Sequence, residues 1–105
     1  MEKIEQQKFL RKLYKTGRII LPKGLLKFLD IKDEIGISYT SDSIILSSEY
    51  SEKVKIDGQG GVILDKELIE NLNFEPETKL EITYEDDYIV ITKPHICKIR
   101  NFRKK

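Results

Sequence analysis

The sequence predicts a mainly β fold with two short helices, in which tandem ββαββ repeats close into a β-barrel of pseudo-twofold symmetry. Two observations predict this fold. A shift of 43 positions superposes the apolar residues of the second half on those of the first, so that Gly17 falls on Gly60 and Leu21 on Leu64. Each half also carries alternating apolar segments around one leucine-rich segment at helical spacing. Four short strands and a two-turn helix cannot bury both sheet faces alone, so we expect the halves to pack together.

The first repeat, residues 9–50, predicts the order strand, strand, helix, strand, strand. Its segments are 9–15, 18–21, 23–29, 35–39 and 43–47. Gly17 allows a tight turn between the first two strands. Pro22 suits the first turn of a helix, where its missing N–H costs nothing, and Leu25 and Leu29 then lie on one helix face.

The second repeat, residues 52–93, predicts the same order of elements. Its segments are 53–57, 61–64, 66–72, 79–84 and 88–93. Its last turn is two residues longer than that of the first repeat. The two repeats are expected to form one folded unit. The chain thus divides into a first repeat with a basic hairpin, an acidic second repeat and a basic tail: 1–50, 51–94 and 95–105.

Charge is distributed very unevenly along the 105 residues, although the net charge is only +1. Residues 1–27 hold eight basic and two acidic side chains, and residues 28–92 hold five basic and sixteen acidic ones. Residues 93–105 hold six basic side chains and no acidic one. This asymmetry indicates that the ends of the chain, but not its middle, meet an anionic partner. The lack of a long apolar run predicts no membrane partner, and the single cysteine, Cys97, is typical of a cytoplasmic protein.

The segment RKLYKTGRIILPK at 11–23, followed by LDIKDE at 29–34, resembles the AbrB/SpoVT/MazE swapped-hairpin family. The second repeat resembles it more weakly, and the tandem arrangement is similar to that of MraZ-type members. The resemblance implies a swapped-hairpin barrel and a role as a DNA-binding transcriptional regulator or as an antitoxin. It also implies assembly into a homodimer or a higher homo-oligomer.

The two repeats depart from the family pattern in complementary ways. Tyr14 stands where the family usually has Asp, whereas Asp57 keeps that acid in the second repeat. Arg18 keeps the family arginine, whereas Gly61 replaces it. Asp30 and Glu34 stand where the family commonly has Gly, and Asp65 of the second repeat replaces the family proline. The second repeat is therefore not expected to bind nucleic acid as the first does.

The basic side chains of the first repeat are the predicted DNA-binding site, with double-stranded DNA as the partner. They are Lys8, Arg11, Lys12, Lys15, Arg18 and Lys23. Arginine and lysine neutralise phosphates, and arginine also bonds guanine edges or enters a narrow minor groove. Two alternatives stay open. The lysines can protect an edge strand from aggregation, and Arg18 can form a structural ion pair with Asp57 or another acid of the second repeat.

The basic tail is a predicted accessory DNA-binding segment. Its candidate residues are Lys98, Arg100 and Arg103. The alternation of Ile96 and Lys98 against Cys97 and Ile99 also allows an added strand, and a solvated tail is the simplest alternative. The acidic second repeat offers a docking face for a basic protein partner or a solubilising surface.

Catalysis is not predicted, because the sequence has a single histidine, His95, and shows no Ser-His-acid order, P-loop or GxGxxG motif. No metal or other cofactor is expected, since the acidic run at 85–87 is typical of a plain turn. The sequence thus predicts a sequence-specific or shape-reading DNA-binding transcriptional regulator of the AbrB type. The alternative is a protein-binding module, such as a MazE-like antitoxin or an assembly protein that has lost DNA binding.

Overall fold

The computed structural model describes residues 8–94, and their order of strands and helices is the predicted one. The elements are β1 (Phe9–Lys12), β2 (Arg18–Ile20), α1 (Lys23–Phe28), β3 (Glu34–Tyr39), β4 (Ile44–Ser47), β5 (Lys53–Lys55), β6 (Gly61–Ile63), α2 (Lys66–Asn71), β7 (Lys79–Glu85) and β8 (Tyr88–Thr92). The prediction of a mainly β protein with two short helices is confirmed. Neither helix is long and apolar enough to cross a membrane within residues 8–94.

Most strands belong to one antiparallel six-stranded sheet with the order β1-β7-β8-β4-β3-β5. The hairpins β3–β4 and β7–β8 each lie within one half of the chain. The pairings β1–β7, β4–β8 and β3–β5 join the two halves, and β2 pairs with β6 as a separate ribbon. Every strand therefore hydrogen-bonds to at least one strand of the opposite half.

The predicted closed barrel is not what the described strands form, because the six-stranded sheet ends at β1 and β5. After β1 the chain makes a turn in which Tyr14 N–H donates to the Arg18 carbonyl over 2.9 Å. After β5 the Asp57 N–H donates to the Gly61 carbonyl over 2.9 Å in the same way. Both turns lead the chain out of the sheet, and β2 and β6 then satisfy each other's hydrogen bonds instead of joining the sheet edges.

The core lies between the six-stranded sheet, the β2–β6 ribbon and the two helices. Along β8 and the first three residues of β4, buried side chains alternate with half-buried ones, as the period of two in a strand requires. The ribbon places Ile19 opposite Val62, and neither side chain is exposed to solvent. Burial of one such side chain contributes about 1.5–3 kcal/mol.

Each helix is short and packs two apolar residues into the core. Leu25 and Leu26 of α1 are buried, and so are their counterparts in α2. After α1 the backbone of Asp30 takes a left-handed conformation with φ 58°. This conformation is the one for which glycine or asparagine is favoured after a helix, and a short polar side chain such as that of Asp30 tolerates it. Asn73 has the same φ after α2.

Candidate nucleic-acid interface

The predicted basic residues of β1 lie on opposite faces of that strand. Cross-strand partners share a face of a sheet, and Arg11 lies opposite the buried Leu80 whereas Lys12 lies opposite Lys79. The Arg11 guanidinium carbon is 5.7 Å from the centre of the Phe9 ring. Arg11 and Lys12 therefore do not form one continuous basic surface.

Lys12, in β1, and Lys8, just before it, are each paired with a carboxylate of the second repeat. Lys12 Nζ is 2.9 Å from Glu77 Oε1, and Lys8 Nζ is 3.9 Å from Glu81 Oε2. The hydrogen bond and the charge of Glu77 raise the pKa of Lys12, and the same pair lowers the pKa of Glu77. Glu77 Oε2 also accepts the backbone N–H of Lys15 over 3.2 Å. The positive charge that the sequence places on this hairpin is thus largely compensated.

Arg18 at the start of β2 makes the ion pair with Asp57 that the sequence offered as an alternative. Its Nε and Nη2 donate to Asp57 Oδ2 over 3.1 Å and 2.9 Å, and Nη2 also donates to Gln59 Oε1 over 3.0 Å. The backbone N–H groups of Gly61 and Gln59, followed by the Arg18 guanidinium, lower the pKa of Asp57. Arg18 is therefore held by residues of the β5–β6 turn.

A groove of about 600 Å³ lies between α1 and the β5–β6 turn, and we call it the cationic groove. Its lining consists of three lysines, two aspartates and an apolar and glycine floor: Lys23, Lys27, Lys32, Asp33, Asp57, Gly24, Leu26, Ile31, Ile56, Gly58 and Gly60. Lys23 and Lys27 are four positions apart on one face of α1. Three lysines thus line this groove, and Arg18 adjoins the lining through its ion pair with Asp57. Lys32 Nζ lies 4.0 Å from Asp30 Oδ1. The groove can accept an extended anion.

The structure thus brings together only some of the predicted residues. Lys23 lines the cationic groove, Arg18 bonds Asp57 of that lining, and Lys15 lies on the exposed turn before β2. Sequence reasoning missed Lys27 and Lys32, although the spacing of Lys23 and Lys27 on a predicted helix was a usable signal. The predicted accessory residues lie outside the described part of the chain: Lys98, Arg100 and Arg103.

The opposite flank of α1 is apolar and contains the most exposed aromatic side chain among those of residues 8–94. Phe28 is 70% exposed, and its ring meets that of Tyr84 edge to face with centroids 5.8 Å apart. Phe9, Pro22 and Leu25 complete a groove of about 280 Å³, which we call the aromatic groove. This surface suits contact with an apolar group.

A metal site is not formed by the described residues, because within 8–94 no three His, Cys, Asp or Glu side chains are grouped to hold an ion. The acidic run at 85–87 instead closes the β7–β8 hairpin, where Asp86 has a φ of 32°.

The fold is similar to that of a protein of known structure, PHS018 from Pyrococcus horikoshii, solved in solution. The two chains superpose with a TM-score of 0.50 and share 24% sequence identity, over 83% of this chain and 92% of that one. This likeness concerns the fold alone. No family model and no curated protein matches the sequence.

Proposed function

We propose that this protein is a transcriptional regulator that binds duplex DNA through the cationic groove, by sequence or by shape. The observation that carries the proposal is the grouping of Lys23, Lys27 and Lys32 around one groove open to solvent, with Arg18 bonded to Asp57 of its lining. Lysines on such a groove neutralise phosphates, and an arginine beside them adds directed hydrogen bonds. Lys8 and Lys12 lie outside this groove and pair with Glu81 and Glu77. Lys23 and Lys27 line the groove and form no ion pair among the described residues.

Residues 8–94 of one chain form one such groove, and a homodimer as the DNA-binding form would supply two. The counterpart of the cationic groove beside α2 carries Glu70 and Glu75 where the first repeat has Lys27 and Lys32. A symmetric dimer would present two cationic grooves to two half-sites of a palindromic duplex. This role belongs in the cytoplasm, in agreement with the single cysteine.

Tandem duplication of one ββαββ unit is the proposed origin of the fold. Support comes from backbone contacts that occur in matching pairs in the two halves. Leu21 N–H donates to the Gly60 carbonyl and Leu64 N–H to the Gly17 carbonyl, both over 2.8 Å. Ile19 and Val62, which face each other in the β2–β6 ribbon, are themselves equivalent positions of the two repeats.

A salt titration of duplex binding tests the proposal. Fluorescence anisotropy with a labelled duplex should show affinity that falls as salt rises, because released counterions drive the binding. The double variant Lys23→Ala/Lys27→Ala should bind more weakly, and its slope of log affinity against log salt should be smaller by about two, one for each lost phosphate contact.

The matched control is Lys66→Ala, because Lys66 occupies in α2 the position that Lys23 occupies in α1. This variant should keep the affinity and the slope of the wild type. Equal losses in the control and in the double variant would show that the cationic groove is not the binding surface. A wild-type protein that binds no duplex at low salt would refute DNA binding altogether.

The aromatic groove favours a second candidate function, the binding of another protein. Phe28 is 70% exposed although it packs beside Tyr84, and a large exposed aromatic ring is a common anchor in protein interfaces. The acidic second repeat could then meet a basic face of that partner. The duplex titration separates the candidates, since a protein-binding module has no reason to bind DNA with a steep salt dependence.

A further inference from the structure

Arg18 is fixed in one orientation, yet it keeps unused donors. Its Nε and Nη2 make three hydrogen bonds to Asp57 and Gln59, as given above. Its Nη1 has no hydrogen-bond partner within residues 8–94, and the side chain is 27% exposed. A guanidinium held in this way loses little further conformational freedom when a ligand binds Nη1.

Asp57 is itself held by the backbone of its own turn. Its Oδ1 accepts the N–H groups of Gln59 over 2.9 Å and of Gly61 over 3.0 Å. The Gly60 N–H also donates to the Asp57 carbonyl over 3.0 Å. Because one carboxylate oxygen is tied to the turn, the other presents a fixed acceptor to Arg18.

Space for the guanidinium exists because position 61 has no side chain. A Cβ at Gly61 would lie 2.7 Å from Arg18 Nε and 2.8 Å from Nη2. Gly61 is equivalent to Arg18 of the first repeat, and Asp57 is equivalent to Tyr14. The two repeats have therefore diverged so that the second holds the arginine of the first.

We infer that Asp57 and Gln59 are positioning residues, which orient Arg18 so that its Nη1 donates to a hydrogen-bond acceptor of DNA. The inference rests on the proposed DNA binding. The acceptor is an oxygen or nitrogen on a base edge or a phosphate oxygen. Asp57 then strengthens DNA binding through Arg18, although it brings a negative charge to the surface.

The sign of the effect of Asp57→Asn tests the inference. A carboxylate that only repels phosphates weakens binding, so its removal would strengthen binding. A carboxylate that orients Arg18 has the opposite effect. We expect Asp57→Asn to weaken binding about tenfold or more, comparably to Arg18→Ala. In the double variant Arg18→Ala/Asp57→Asn the second change should cause no further loss, because its effect acts through Arg18.

The probes are a duplex that the wild type selects from a random library and a scrambled duplex of the same length, both titrated by anisotropy. A loss confined to the selected duplex supports the inference with a base edge as the acceptor. Equal loss on both supports it with a phosphate oxygen as the acceptor. Tighter or unchanged binding by Asp57→Asn overturns the inference while DNA binding stands. If the wild type binds neither probe, the proposed function itself fails.

Two further variants protect the test against simple unfolding. Gln59→Ala removes one exposed contact to Nη2 and leaves Asp57 in place, so a severalfold weaker affinity with an unchanged thermal midpoint is expected. Asp65→Asn is the matched control, since Asp65 lies outside the cationic groove and makes no hydrogen bond to Arg18 among the described residues. Its binding should be unchanged or tighter, and a loss equal to that of Asp57→Asn would overturn the inference.

Discussion

The basic residues of the first repeat differ in what surrounds each of them. Lys12 meets Glu77 and Arg18 meets Asp57, which lies 39 positions away in the sequence. Lys23 and Lys27 instead face an open groove. The same residue type therefore neutralises a carboxylate at one position and remains available to an external anion at another. The difference is set by long-range neighbours.

The lowered pKa of Asp57 makes the stability of the Arg18–Asp57 pair depend on pH. The backbone N–H groups of Gly61 and Gln59 and then Arg18 favour the charged carboxylate in the folded protein. This contribution is complete above the pKa of Asp in the unfolded chain, about 3.9, and is lost as pH falls through the lower pKa of the folded state.

The comparison of wild type with Asp57→Asn isolates this contribution. At pH 7 the wild type should have the higher thermal midpoint by circular dichroism, and the gap should close as the pH falls below about 4. A gap that stays constant between pH 7 and pH 2.5 would mean that the charge of Asp57 does not stabilise the fold.

The elements differ in how much their glycines are required. Gly24 lies within α1, and a Cβ there would meet nothing within 4 Å. Gly60 lies in the β5–β6 turn with φ of 88°, and a Cβ there would approach the Leu21 carbonyl oxygen to 3.0 Å. Gly24 therefore lowers the stability of α1, whereas the left-handed backbone of the β5–β6 turn requires Gly60.

Alanine at these two positions should therefore have opposite effects. Gly24→Ala is expected to raise the free energy of unfolding by about 0.5–1 kcal/mol, because alanine loses less conformational freedom in a helix. Gly60→Ala is expected to lower it by more than about 1 kcal/mol, because its backbone conformation is left-handed. Urea denaturation measures the free energy of unfolding of both variants. A lower value for Gly24→Ala than for the wild type would contradict the prediction that alanine stabilises α1.

At the scale of the whole molecule, the two halves are interleaved. Within residues 8–94, four strand pairings join them, and strands of the first and second halves are interspersed in the order of the six-stranded sheet. Neither half keeps its main-chain partners without the other. We therefore expect residues 8–94 to unfold as one cooperative unit.

Matched core substitutions test this cooperativity. Leu21 and Leu64 are equivalent positions with 1% and 2% of their surface exposed. Leu21→Ala and Leu64→Ala should each lower the free energy of unfolding by about 2–5 kcal/mol through the cavity they leave. Both variants should keep a single urea transition, seen by circular dichroism and tyrosine fluorescence together. Two separate transitions in either variant would show that the halves unfold independently.

The order and type of the elements were determined by the sequence itself, because local periodicity and turn residues act over a few positions. The helix predicted at 23–29 is observed as Lys23–Phe28, and the strand predicted at 9–15 is observed as Phe9–Lys12. The strand is shorter because Tyr14 N–H bonds the Arg18 carbonyl in a turn. Such differences at the ends of elements arise from hydrogen bonds that local patterns do not reveal.

The tertiary structure alone decided the open sheet and the form of the candidate site. The sheet stays open because β2 and β6 pair with each other, a choice between distant strands that no local pattern contains. The site that we propose is the cationic groove and not the β1 hairpin, because Glu77 and Glu81 of the second repeat pair with the hairpin lysines. Residue types set which charges the protein has, and only the packing of distant segments sets which of them remain available to a partner.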